Sequence, residues 1–216
     1  MLSFNKPTLV TITAPTCSGK NYLMTALQSE FKFNKIVSTT TREKRDGEVE
    51  GVDYYFISDL ESRLREREAK FAELVTFRGT RYGVTHDEMN DKMSGPNPPM
   101  VILEPNGVEI YEAMCIANGW DIFKIYIHAV ESLRLERLLY RTIRDHSSAE
   151  TPDGRDRVLR THIDRTISIT GDERRWSNSN TWNAIVPGDN LKAALAMIEY
   201  GIAWCNKRNA ELMVNC

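Results

Sequence analysis

The chain has 216 residues, of which 41% are hydrophobic and 27% charged, a balance that excludes a disordered or collagen-like polymer. Its 28 Lys and Arg against 30 Asp and Glu give a formal net charge of -2, so no global basic excess points to nucleic acid or a membrane surface, and any anion binding must come from local clusters. The longest apolar runs fall far short of the roughly 18 to 20 residues of a membrane span. The first residues lack the basic-then-apolar order of a secretory signal, and Cys17, Cys115, Cys205 and Cys216 are too scattered for a zinc site or a disulfide framework. A reducing, cytoplasmic location is expected, that of a host cell if the gene is viral.

In chain order, residues 9–13 form an unbroken β-branched run, which suits a strand buried on both faces of a parallel sheet. Ala14-Pro15-Thr16-Cys17-Ser18-Gly19-Lys20-Asn21 follows, and then a helical pattern over residues 22–27. Residues 34–90 differ in kind, with short strand-like pieces at 54–57 and 74–77 around a highly charged helix at 59–70, and predict a small α+β insertion. Ser94 to Pro99 is a turn before a strand at 100–103, and a further strand is expected at 123–127. A basic helix over 131–144, an irregular polar stretch over 145–154 and a second Arg-rich helix come next. A strand at 184–186 and a helix over 191–204 complete the alternation, leaving the tail from Asn206 unexplained. Strand–helix alternation predicts an open parallel α/β sheet flanked by helices, with residues 1–33 and 91–216 as its core.

Residues 14–21 stand where a phosphate loop, Gly-x-x-x-x-Gly-Lys-Ser/Thr, joins a strand to a helix. Gly19 and Lys20 match; Ala14 replaces the first glycine and Asn21 the hydroxyl residue that touches magnesium. Backbone N–H groups at a helix start make an anion nest, and Lys20 adds a compact positive charge for the β- and γ-phosphates. Ala14 is tolerable if that position needs no positive φ. The bland alternative is a glycine turn with a surface lysine.

Residues 38–56 combine hydroxyls, two arginines three apart, two glycines and a tyrosine pair, an inventory that suits a small dianion. The pattern Thr-Thr-Arg-x-x-Arg-x-Gly-Glu-x-x-Gly-x-Asp-Tyr-x-Phe, from Thr40 to Phe56, resembles the monophosphate-binding segment of guanylate kinases. Phe71-Ala72-Glu73 and Gly79-Thr80-Arg81-Tyr82-Gly83 are similar to two further family motifs. The resemblance implies that Ser38, Arg42, Arg45, Tyr54 and Tyr82 hold an acceptor monophosphate and that Glu73 accepts hydrogen bonds from guanine N1–H and its amine. The hydroxyl the family places against guanine O6 is here Val84, with Thr85 next, so either Thr85 supplies the contact or it is lost. Glu104 and Asn106 stand where the family commonly has Asp-x-Asp beside the acceptor and the metal.

The resemblance also implies a helical, Arg-rich lid near 137–160, with Arg137, Arg141 and Arg160 over the triphosphate. The function expected is transfer of the γ-phosphoryl of ATP to GMP or dGMP with Mg2+, without nucleic-acid or membrane partners, by a monomer or homodimer. Two other readings stand beside it: a kinase of the same fold for another or modified deoxynucleotide, which Val84 and Asn106 favour, and an inactive binding module, which Ala14 and Asn21 favour.

Overall fold

The computed structural model describes residues 3–45, 47–77, 79–171, 176–178 and 181–214, apart from the side chains of 77 and 211–214. The chain begins with β1 (Thr8–Thr13), α1 (Lys20–Phe31) and β2 (Asn34–Lys35). A second group follows: β3 (Thr39–Thr40), β4 (Tyr55–Phe56), α2 (Asp59–Arg67), β5 (Phe71–Phe77), β6 (Thr80–Thr85) and α3 (His86–Met93). The remainder is β7 (Pro99–Ile102), α4 (Pro105–Asn118), β8 (Asp121–His128), α5 (Glu131–Ser148), α6 (Pro152–Thr170), β9 (Ala184–Pro187) and α7 (Leu191–Val214).

The main sheet has the order β2-β7-β1-β8-β9, and every neighbouring pair is parallel. Its central strand, β1, is buried along its whole length because both faces are covered. Val10 and Ile12 pack with Leu23 and Leu27 of α1 and with Ile198 and Ile202 of α7. Leu9, on the other face, joins Val101, Val108, Tyr111 and Cys115 from β7 and α4, and also Val84 of β6 and Met89 of α3. This second cluster ties the smaller sheet, of order β4-β3-β6-β5, to the core.

Two expectations need correction. β2 pairs with β7 in the main sheet, so the insertion begins after it and not at residue 34. The stretch 145–154, expected to be irregular, is mostly helical: α5 runs to Ser148 and α6 starts at Pro152, where the Thr151 side chain accepts from Gly154 N at 3.1 Å. Serine and threonine look like loop residues in a sequence, but here they back-bond or cap. The unexplained tail continues α7, and Asn206 accepts from Asn5 N at 3.0 Å and donates to Ser3 O at 2.8 Å. Among the described residues no helix is long and apolar enough to cross a membrane, and Cys17, Cys115 and Cys205 are free thiols; Cys216 lies outside the described residues.

The end of β9 lies against the loop that leaves β1. A Cβ on Gly188 would sit 2.5 Å from Ser18 O, a backbone atom that cannot swing aside. Gly188→Ala should therefore destabilise the fold by roughly 1–3 kcal/mol, the cost of overpacking. A thermal melt would show a midpoint lowered by several degrees; an unchanged midpoint would mean the close approach is unimportant.

Candidate functional site: a phosphate loop facing an arginine clamp

The loop after β1 turns on left-handed residues, Cys17 at φ 63 and Gly19 at φ 98. Gly19 caps α1 without a side-chain bond, leaving the first helical N–H groups for an anion that the helix dipole also favours. Ala14 is buried and has no positive φ, so the missing first glycine causes no strain. The Ser18 hydroxyl is buried with no hydrogen-bond partner among the described residues. Lys20 Nζ lies along the loop, donating to Ala14 O at 2.6 Å and Pro15 O at 3.1 Å. Pro15 and Thr16 complete the turn, with Ser18 N donating to Pro15 O at 3.3 Å.

Helix α5 grips this loop from outside. Arg134 Nε donates to Thr16 O at 2.9 Å, and Arg137 donates to Cys17 O at 3.2 Å and Gly188 O at 2.9 Å. Arg141, one turn on, has Nε 3.6 Å from Asp145 Oδ2, too long for a hydrogen bond, and that nitrogen is buried without a partner among the described residues. A cleft of about 540 Å3 opens here, lined by Asn21, Arg137, Tyr140, Arg141 and Arg144.

Arg160 is not brought to the site. Its side chain is 79% exposed and pairs with Asp156 one turn earlier at 2.8 Å. Arg165 takes the inward position instead. Burial, then the charges of Arg141 and Arg45, pull its pKa down to about 10. The signal was in the helical period: Arg165 precedes the fully buried Ile169 by one turn, whereas Arg160 falls on the opposite side at about 3.6 residues per turn.

The acceptor-clamp residues gather on the smaller sheet. Arg42 lies 5.5 Å from the Tyr54 ring and 5.7 Å from that of Phe56, and Tyr54 meets Tyr82 edge-on with centroids 6.1 Å apart. Ser38 O accepts from Tyr55 N at 2.9 Å, which fixes the start of the clamp beside β4. Glu48, not singled out in the sequence, organises both arginines: Oε1 accepts from Arg42 at 2.7 Å and Oε2 from Arg45 N at 2.8 Å. Asp53 and Glu50 act likewise on the backbone N–H groups of Val49 and Phe56. The acidic positions of the motif thus shape the loop. Arg45 is left facing Arg42 and Arg141, and burial followed by those two charges lowers its pKa.

Glu73 sits on β5 opposite Val84 of β6, just after a register shift, and is only 8% exposed. Burial pushes its pKa up to about 7, partly offset by the hydroxyl of Tyr111. Thr85 does not supply the hydroxyl missing at Val84. Side chains alternate along a strand, so Thr85 faces away from Val84, and its oxygen caps α3, accepting from Glu88 N at 3.2 Å. Glu104 and Asn106 are exposed at the start of α4, beside the loop after β1, because Leu103 N donates to Ile12 O across the neighbouring strand ends.

A phosphate loop at the carboxyl edge of a parallel sheet, a separate small sheet carrying an arginine–tyrosine clamp, and a basic helical pair define the nucleoside monophosphate kinase architecture. A family model described as guanylate kinase matches residues 6–151, and the chain belongs to the guanylate kinase family. A curated guanylate kinase of Coxiella burnetii is 40% identical over 138 residues, covering 63% of this chain and 66% of that protein. One of Chlamydia muridarum is 35% identical over 135 residues, 62% of this chain and 63% of the relative, so less than two thirds of such relatives' length is matched. The crystal structure of a guanylate kinase from Anaplasma phagocytophilum superposes with a TM-score of 0.57 at 17% identity, over 98% of this chain and 89% of that one, and shares the fold.

A carboxyl group raised from 4.5 to about 7 costs stability once the unfolded chain ionises. Its contribution is intact below about pH 4.5 and is lost as pH rises through about 7. Glu73→Gln should remove this loss. Relative to wild type, the variant should gain up to about 3 kcal/mol between pH 5 and pH 8 in denaturant titrations. Parallel pH profiles for the two proteins would refute the burial argument.

Proposed function

We propose that the chain transfers the γ-phosphoryl of ATP to GMP or dGMP, giving ADP and GDP or dGDP. One observation carries this reading: Arg45 of the acceptor clamp and Arg165 of the helical pair both have their pKa lowered, by burial and then by neighbouring guanidinium charges that in each case include Arg141, beside Cys17 of the phosphate loop. Like charges repel when packed in this way, and a phosphate between them turns that repulsion into attraction. Acceptor and donor anions therefore have one common place to meet.

Phosphoryl transfer needs positioning and charge neutralisation more than covalent chemistry from the protein. The helix-start amides and Lys20 hold the donor phosphates. Arg42, Arg45, Tyr54 and Tyr82 hold the acceptor phosphate, whose oxygen attacks. Arg137, Arg141 and Arg165 carry charge that offsets what develops on the transferring group, and the α5–α6 hairpin acts as the lid that excludes water. The reaction would use Mg2+, an ion held mostly by water and substrate phosphates. Asn21 and Glu104 would offer it oxygen donors, and when bound it would neutralise charge on the β- and γ-phosphates. The convergent cations speak against a binding module.

ADP release measured against a panel of monophosphates tests the proposal: GMP or dGMP should lead, and activity confined to pyrimidine acceptors would refute the guanine reading. Lys20→Ala should abolish most transfer while the chain still folds, its thermal midpoint lowered only by the loss of the two bonds to Ala14 O and Pro15 O. Arg165→Ala should reduce kcat roughly 100-fold, as expected for loss of a group that stabilises transition-state charge. Arg160→Ala should be nearly silent; if the two arginine variants exchange these outcomes, the lid assignment is wrong.

A further inference from the structure

A second buried polar group near Glu73 has not been used by the proposed reaction. Tyr111 projects from α4 and is fully buried, 0% exposed. It lies in the cluster that joins Val84, Met89, Val108 and Cys115. Its hydroxyl is buried with no hydrogen-bond partner among the described residues, while α4 packs against β5, so that Tyr111 and Glu73 each alter the other's ionisation. A buried hydroxyl without a partner is costly. It is worth keeping where a carboxylate must be held.

The other groups around Glu73 cannot do this. Its cross-strand partner is Val84, which has no donor. Thr85 is engaged in capping α3. Cys115 is on α4 with Tyr111, and burial raises its thiol to about 12, so it stays neutral. Met89 of α3 and Val108 of α4 are apolar. Among the described residues Tyr111 is the one side chain that favours the ionised form of Glu73. An ionised carboxylate has lone pairs enough for a phenol and two base donors at once.

Resting on the GMP reading above, we propose that Tyr111 is a positioning residue for the acceptor base: its phenol donates to the Glu73 carboxylate and holds it ionised and oriented for two guanine N–H donors. The requirement arises because β6 places a valine and no hydroxyl opposite Glu73. The contact also spans the two sheets, so that a residue of the core helix α4 sets base recognition on the smaller sheet.

Tyr111→Phe removes only the hydroxyl. A 13C NMR titration of labelled glutamate carboxyls, with Glu73 assigned by its absence in Glu73→Gln, should show the Glu73 midpoint moving to higher pH. KM for GMP should rise roughly tenfold, as for loss of a hydrogen bond to a charged group, while KM for ATP stays fixed. Val84→Thr added to Tyr111→Phe restores a donor beside the carboxylate and should recover part of the loss. An unchanged Glu73 midpoint overturns the proposal, as does an equal penalty from Tyr111→Phe in the Glu73→Gln background, which would mark Tyr111 as a packing residue. If wild type fails to use GMP but the midpoint still shifts, Tyr111 holds Glu73 and the guanine reading alone is lost.

Discussion

The site depends on the path of one loop. β1 ends in the middle of a parallel sheet, and the chain must reverse there into α1 through two left-handed residues. That turn exposes peptide carbonyls on its outer side. Arg134 and Arg137 take up those of Thr16 and Cys17, and Arg137 reaches Gly188 as well. The same guanidiniums thus fix the loop's shape, brace the end of β9, and set the register of α5. In a low-dielectric setting, hydrogen bonds from charged donors are stronger than neutral ones, which suits a loop that must not move when anions arrive.

The second organising feature is the use of carboxylates. In the clamp, Glu48, Glu50 and Asp53 turn inward to backbone and arginine donors and build a rigid loop without a hydrophobic core of its own. Glu48 makes Arg42 more basic: burial pulls the arginine down, but the carboxylate's hydrogen bond and charge outweigh it. Arg45 receives Glu48 only at its backbone, so its side chain remains exposed to the repulsion of its neighbours. Two arginines three apart therefore differ in task, one fixed in place and one answering to ligand charge.

Much of this was legible from residues alone. The buried runs gave the strands of the main sheet because β-branched stretches without alternation fit only a sheet covered on both faces. The clamp was legible because dianion recognition demands a rare inventory close together in sequence. What escaped had physical reasons. The pairing of β2 with β7 involves two residues and leaves no periodic trace. Arg160 and Arg165 differ only by the side of α6 they occupy, and the irregular apolar pattern of that helix hid its inward face. Tyr111 resembles any aromatic core residue, and its partner lies on another element. Thr85 was ambiguous because a hydroxyl at a strand end serves a base or a helix cap equally well in sequence.

The two sheets share no strand, and the junction between them is filled by the cluster of Leu9, Val84, Met89 and Tyr111. Glu88 of α3 bridges it, accepting from Val37 N at 2.8 Å and from the Tyr55 hydroxyl at 3.3 Å. This carboxylate is a cross-tie. It binds the segment that leaves the main sheet to the strand that forms the far edge of the small one. Glu88 thus couples the two sheets through donors that belong to neither ladder, a backbone N–H beyond β2 and a phenol on β4.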